Sequence, residues 1–303
     1  MRMYAIVKTE EKGSLIVQKT PKEHRRGKGK TIKIIAIVML ALGYLFPLIW
    51  LLDTSFRPKV EIFNVPPRIF QAAPWVTFKS YSFSNFTLAF EKYQVGLALI
   101  NSVLVTVSAI LLTLIVCSLA GYAFALLKFP GRNGIFFVIL CTMMLPTITL
   151  LAPYFRVIRV LGLYNKHLGI IIPYAASAFG VFLLRQYYIR LPNSLMEAAV
   201  MDGASHLRVW WQIILPVSKP VLATLAIYQF TAIWNDFLVP LLILRNKTLH
   251  TLPIKLQAID SVNVAKDYDA IIATSFIAII IPIVVFLMFQ RQFIEGISGS
   301  VKE

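Results

Sequence analysis

Glu197–Pro220 reads EAAVMDGASHLRVWWQIILPVSKP, a polar, turn-bearing stretch between two long apolar runs. Ser194 stands three residues ahead of Glu197, the spacing of a capping box: the hydroxyl accepts from the Glu197 amide while the carboxylate accepts from the Ser194 amide. A short helix is therefore predicted here. It should end at Asp202-Gly203, because glycine enters the left-handed conformation that closes a helix without a Cβ penalty. Ser205 then caps a second helix, predicted through Leu207, Val209, Trp210 and Ile213 until Pro216, which has no amide to continue it. A link between adjacent membrane helices needs only about 2–8 residues. The loop here, about residues 190–219, is several times longer, which marks it as a compact helix–turn–helix outside the bilayer and as the segment suited to meet a soluble partner.

The surroundings of this insert decide the class. With 58% hydrophobic and 15% charged residues and a mean hydropathy of +0.73, the chain carries more apolar side chain than a soluble globule of its size can hide. It reads as an all-α integral membrane protein. Crossing ~30 Å of hydrocarbon takes about 20 apolar residues as helix. Six stretches qualify as transmembrane helices, at Lys33–Leu52, Ala98–Leu127, Gly134–Pro153, Leu168–Leu184, Pro220–Leu244 and Ala270–Gln290. The organisation that follows is a basic tail (residues 1–32), a six-helix membrane domain (33–291) and a short C-terminal tail (292–303).

An even number of spans puts both tails on the side of the 190–219 loop. The excess of Lys and Arg lies on that side, mainly in Lys19, Lys22, Arg25, Arg26, Lys28 and Lys30 just ahead of the first span, so both termini and the insert are predicted to be cytoplasmic. The net charge of +16 fits basic anchors on anionic membrane lipid better than binding to nucleic acid, since the basic tail has one early Tyr and no series of base-stacking aromatics. The first apolar run starts some thirty residues in and ends Leu51-Leu52-Asp53 without a small-x-small cleavage site, as a retained helix would.

Reactive chemistry is sparse. No G-x-x-x-x-G-K-[ST] phosphate loop occurs, so if ATP drives this protein another chain must bind it; the chain is expected to need no cofactor or metal of its own. Cys117 and Cys141 lie in apolar spans and read as packing residues. His24, His167, His206 and His250 fall in four separate polar regions without ligand spacing. Asp236, in Trp234-Asn235-Asp236-Phe237 near the outer third of the fifth span, is the clearest intramembrane charge; it motivates the alternative of a proton-coupled secondary transporter. A membrane enzyme has no paired carboxylates, His/Cys cluster or nucleophile motif to rest on. Gly121 with Ala125, and Ala176 with Gly180, are small-xxx-small pairs that let helices approach, while Pro146, Pro153, Pro173 and Pro282 mark bends. In the large outer loop Asp53–Leu97, Phe86, Phe90 and Tyr93 recur at helical spacing, as in an amphipathic surface helix. Asn101, Tyr122, Tyr228, Gln229 and Asn235 are polar or aromatic groups in the spans of the kind that hold sugars, but helical phase does not select among them, and no substrate ligand is assigned.

Glu197-Ala198-Ala199, Asp202-Gly203-Ala204, Ile213 and Leu215-Pro216 resemble the signature loop of ABC importer permeases, E-A-A-x-x-D-G-A-x(8)-I-x-L-P. The likeness runs through Asn101-Ser102, Met144-Leu145-Pro146, Phe182-Leu183-Leu184-Arg185-Gln186, Trp234-Asn235-Asp236-Phe237, Thr251-Leu252-Pro253, Gln290-Arg291 and Glu295-Gly296, and is nearest to the carbohydrate-uptake branch, in particular the maltose-type second permease subunit. That resemblance implies a type I permease fold in the bacterial or archaeal cytoplasmic membrane. It implies a sugar or oligosaccharide delivered by an external binding protein, a second, different permease subunit, and a dimeric cytoplasmic ATPase that binds the ATP. It further implies that Glu197, Ala198, Ala199, Asp202 and Gly203 form a coupling helix docked in a groove of that ATPase. The tail Ile297–Lys302 departs from the family's Thr-Ala-Gly-rich ending, and the basic N-terminal tail is long for the family.

Overall fold

The computed structural model describes residues 23–58, 81–192, 194, 199, 201, 203–262 and 267–298. Among them the secondary structure is helical throughout, as expected where the bilayer offers backbone groups no hydrogen-bonding partner other than their own segment. The first helix, α1 (Glu23–Ser55), runs through Pro47, and its apolar stretch Lys30–Ser55 is long enough to cross a membrane. Up to Trp50 it belongs to a unit of its own and exposes its large apolar side chains, among them Ile37, Leu40 and Tyr44, a surface that suits lipid and not water.

The second unit, from Leu51, contains the other helices. A short helix, α2 (Ser84–Glu91), leads into α3 (Val95–Leu126), whose 32 residues exceed the length a span needs. α2 falls on the predicted amphipathic stretch: Asn85 and Ala89 are buried while Phe90 is exposed, and the Asn85 amide donates to the carbonyls of Ser55 (3.0 Å) and Arg57 (2.7 Å). The predicted span Gly134–Pro153 is not one straight helix. It becomes α4 (Arg132–Thr142) and, after a 3-10 turn, α5 (Leu151–Val160), and the two halves meet at 98°. Pro146 causes the break: it has no amide, and it pushes Leu145 out of the helical region.

The predicted fourth span becomes α6 (Leu168–Ala175) followed by α7 (Ala178–Tyr188), with Ser177 accepting from the Gly180 amide at 3.1 Å to start the second piece. In the fifth, α9 (Lys219–Trp234) is preceded by α8 (His206–Val217) at a bend of 79° and followed by α10 (Leu238–Ile243). Pro240 explains why the predicted Pro220–Leu244 helix is interrupted at residues 235–237, since its ring clashes with, and cannot donate to, the carbonyl of Asp236. After α11 (Leu252–Val262), α12 (Tyr268–Ser298) contains the sixth apolar stretch and continues through Pro282. Among the described residues four helices are each long and apolar enough to cross a membrane, and six segments are if each bent pair counts as one.

Packing within this unit centres on α3. Gly121 and Gly180 let α3 and α7 touch: a Cβ on Gly121 would stand 2.9 Å from the Leu184 Cβ, and one on Gly180 would stand 2.8 Å from the Cys117 sulfur. Cys117 is thus the packing residue its apolar context suggested. A first core joins Cys117, Leu184, Tyr188, Ile214 and Leu225; a second joins Val105, Ile158, Ile170, Ile243 and Ile254; a third gathers Ala89, Ala98, Trp234 and Ala270.

Candidate coupling surface

The signature loop begins where α7 ends. Tyr188 is fully buried there, and the Tyr187 hydroxyl donates to the Val217 carbonyl at 3.0 Å, so the two ends of the loop are stapled together. Of the five residues assigned to the coupling helix, Glu197, Ala198 and Asp202 lie outside the described residues, as does the capping-box partnership of Glu197 with Ser194; Ala199 and Gly203 are described. Ala199 is helical and buried. Gly203 has φ +77°, and the Ala204 amide donates to the Ala199 carbonyl at 3.0 Å. That six-to-one hydrogen bond with a left-handed glycine is a Schellman closure, the ending predicted from the sequence. Nothing stands within 4 Å of a Cβ at Gly203, so its backbone angle and not space requires glycine here.

Ser205 accepts from the Arg208 amide at 3.4 Å and starts α8, again as predicted. The helix ends one residue past the predicted stop at Pro216. It runs to Val217 by widening into a π turn over Trp210–Ile214, where the Leu215 amide reaches the Trp210 carbonyl. Pro216 has no amide to donate back into this turn, and its ring is accommodated where the turn widens. Ser218, fully buried, donates its hydroxyl to the Ile214 carbonyl and fixes the 79° turn into α9.

The loop has two unlike faces. Ala199, Val209, Trp210 and Ile214 are buried in the same core as Cys117, Tyr122, Leu184 and Leu225 of the long helices. Met201, Leu207 and Trp211 are exposed, at 87%, 68% and 64%. Two polar ties strengthen the buried face. The Tyr122 hydroxyl lies 3.2 Å from His206 Nδ1, and the Arg185 guanidinium donates to the Phe124 carbonyl at the end of α3 (3.1 Å) while its centre stands 4.1 Å from that of the Phe136 ring. Arg185 therefore holds α3, α4 and α7 at one point, with its positive charge at the negative end of α3.

Asp236 is elsewhere. Its carboxylate accepts from the Tyr174 hydroxyl at 2.8 Å and from the Val239 amide at 3.3 Å, capping α10 and tying the interrupted span to α6. Nearby Gln229 reaches Thr113 Oγ1 and the Tyr174 carbonyl. Asn101 donates to the carbonyls of Thr248 and His250, and Ser102 accepts from the Leu252 amide at 2.7 Å, which brings the Asn-Ser pair onto the Thr251-Leu252-Pro253 segment. Asn235 donates back to the Thr231 carbonyl, and Tyr228 is half exposed with its ring 4.5 Å from that of Phe179. Of the five sugar-binding candidates, Asn101, Tyr122 and Gln229 are thus engaged in holding elements together. The π turn and the Tyr122–His206 contact were not foreseen; Pro216 signalled the first, whereas no sequence spacing connects residues 84 positions apart.

A family described as binding-protein-dependent transport system inner membrane component matches residues 117–296, from the middle of α3 to the end of α12. The chain belongs to this family. The permease is 36% identical over 267 residues to the arabinooligosaccharides transport system permease protein AraQ of Bacillus subtilis, covering 88% of this chain and 93% of that one. It is 31% identical to the lactose transport system permease protein LacG of Rhizobium radiobacter, over 92% and 98% of the two chains. Its fold matches a chain in the crystal structure of a bacterial ABC transporter involved in import of the acidic polysaccharide alginate, with a TM-score of 0.78, 24% identity and coverage of 91% and 100%. The architecture is therefore that of a type I ABC importer permease, an inner-membrane transport protein of a family with sugar-transporting members and not an enzyme family.

Proposed function

We infer that this permease forms half of the pathway of an ATP-driven importer for a sugar or oligosaccharide, paired with a second, different permease subunit and fed by an external binding protein. A dimeric ATPase on the cytoplasmic side binds and hydrolyses the ATP, and the helix from Glu197 to Gly203 seats in it. Both termini lie on that side, in line with the basic residues ahead of α1. The sugar reading draws on the transport systems named for arabinooligosaccharides and lactose.

One observation carries the coupling reading: the loop is rigidly closed at both ends and two-faced. Val209, Trp210 and Ile214 sit in the core of the membrane helices, while Met201 and Leu207 are left bare. An exposed Met is a soft, adaptable contact for a protein groove, and a closed Schellman turn passes a push on as displacement and not as bending. Family membership removes the motive for proton coupling through Asp236, whose hydrogen bonds give it a structural task.

Co-purification of the ATPase with the permease tests the assignment. Glu197→Lys and Gly203→Pro are expected to reach the membrane in normal amount and to lose bound ATPase. Undiminished ATPase on both variants removes the docking assignment.

A further inference from the structure

A lysine on α11 is aimed into the interior with no acid to meet it. The segment that leads into α11 is fastened to α3: Asn101 donates to the carbonyls of Thr248 (2.8 Å) and His250 (3.1 Å), and Ser102 accepts from the Leu252 amide (2.7 Å). The helix that grows from this base has a fixed phase. Ile254 joins the second core, and Leu252 and Ile259 join the third. At about 100° per residue, Thr251 and Lys255 fall on the arc between Ile254 and the Leu252–Ile259 row, so both face the seam between the two cores. They are buried accordingly, at 5% and 9% exposure.

Three polar groups here lack partners. The Thr251 hydroxyl and His250 Nδ1 are sealed from solvent and make no hydrogen bond, and no hydrogen bond or ion pair among the described residues engages the Lys255 ammonium. No carboxylate acts from a distance either. Burial and then Lys247 lower the proton affinity of Lys255; burial and then Lys255 lower that of His250, where the Leu244 carbonyl opposes the shift and Lys247 adds to it. No Asp or Glu occurs between Asp236 and Asp260, and Asp267, just ahead of α12, is held by Lys92 and Tyr93. A lysine can lay its stem on apolar surface and put its head in water, but that takes an outward phase. An ammonium turned inward needs a counter-charge.

We propose that Lys255, Thr251 and His250 form a binding site for an oxyanion, the carboxylate or phosphate group of a small ligand. The ammonium brings charge and three donors, the hydroxyl brings one, and an imidazolium donates from both nitrogens. Hydrogen bonds from such charged donors to an oxyanion belong to the strong class. A neutral sugar hydroxyl satisfies Thr251 and leaves the Lys255 charge uncompensated, while a metal cation is repelled by Lys247 and Lys255. Two sources present the right group, a sugar acid or sugar phosphate and a free inorganic anion. The site itself does not depend on the importer reading; its extension to an acidic sugar as the transported substrate rests on that reading.

The test uses the full chain purified in detergent free of phospholipid, so that no headgroup phosphate is present. Inorganic phosphate, glucose phosphate, glucuronate and glucose are titrated, with thermal unfolding as the readout and equilibrium dialysis of radiolabelled phosphate beside it. The variants are Lys255→Met, which keeps the stem and removes the charge, Lys255→Arg, which keeps the charge, and Thr251→Val in case Lys255→Met misfolds. Support is a saturable rise in unfolding temperature with at least one of the three anions and none with glucose. The dissociation constant should rise about tenfold or more in Lys255→Met, about twofold to fivefold in Thr251→Val, and least in Lys255→Arg. Without anion, Lys255→Met should unfold at a higher temperature than the wild type, since an apolar group replaces an unpaired charge; a lysine with a merely structural role gives the reverse. Tighter binding of glucose phosphate or glucuronate than of phosphate assigns the oxyanion to an acidic sugar, and phosphate bound as tightly or more tightly assigns it to a free anion; either result supports the site. A wild type that responds to no anion overturns the proposal, as does an affinity unchanged in Lys255→Met or, if that variant misfolds, in Thr251→Val. If the anion binds as expected but ATP drives uptake of no sugar by the whole transporter, the importer reading fails and the site stands.

Discussion

Two polar interruptions in this apolar chain solve opposite problems. The signature loop turns inward with apolar side chains, Val209, Trp210 and Ile214, and presents Met201 and Leu207 outward. The break at Asn235–Phe237 turns inward with a carboxylate and satisfies it locally through Tyr174 and Val239. A polar stretch built to meet another protein leaves apolar surface bare, whereas one built to bend a helix in the membrane consumes its own hydrogen-bonding capacity. On the docking role proposed above, the first is a joint between molecules and the second a joint within one.

The sharpest way to break that contrast is to damage each joint and ask which function is lost. Proline at Gly203 cannot adopt φ +77°, because its ring fixes φ near −65°. Gly203→Pro should therefore abolish ATPase co-purification outright. Asp236→Leu should leave ATPase binding intact and instead lower the thermal stability of the purified permease by about 1–3 kcal/mol, because the Tyr174 hydroxyl and the Val239 amide lose their acceptor. Asp236→Asn keeps one oxygen to accept from the Val239 amide while its NH2 donates to the Tyr174 oxygen, whose hydroxyl hydrogen turns away, so its stability and uptake should stay close to wild type at every pH assayed. Uptake abolished by Asp236→Asn would give the inner joint a proton-moving role and dissolve the distinction.

How far each joint was legible in the sequence follows from the range of the forces that make it. The caps at Gly203 and Ser205 depend on neighbours within about one helical turn, so residue identity was enough. The apolar spans were legible for a related reason: the bilayer imposes one length on all of them. Their interruptions were legible only in part. Pro146 and Pro240 each remove an amide, but whether a helix then kinks, widens or breaks depends on what packs around it. Pro47 and Pro282 sit inside helices that continue, whereas α8 ends at Val217, one residue past Pro216. The roles of Asn101 and Gln229 were illegible, because their partners at Thr248 and Thr113 become neighbours only after the helices assemble. The same applies to Glu197, Ala198 and Asp202, whose proposed docking role rests on the family pattern and which lie outside the described residues.

The smallest expected effect tests how movement crosses from the outer face of the loop to the membrane. His206 opens α8 directly after the Schellman turn, and Tyr122 is buried near the end of α3, so their contact joins the docking element to the longest buried helix of the second unit. A single hydrogen bond of this kind is worth about 1 kcal/mol, too little to decide whether the permease folds. It is enough to change how often ATPase closure displaces α3 instead of sliding past it, since 1.4 kcal/mol is a factor of about ten in an equilibrium. Tyr122→Phe should keep ATPase bound and hydrolysing, while the ATP consumed per sugar imported rises about twofold to fivefold. His206→Phe should do the same, and the double variant should be no worse than either single one, because both changes remove one contact. Fully additive losses would show that the two residues act separately, and would move the transmission path to the apolar contacts of Val209 and Ile214 in the shared core.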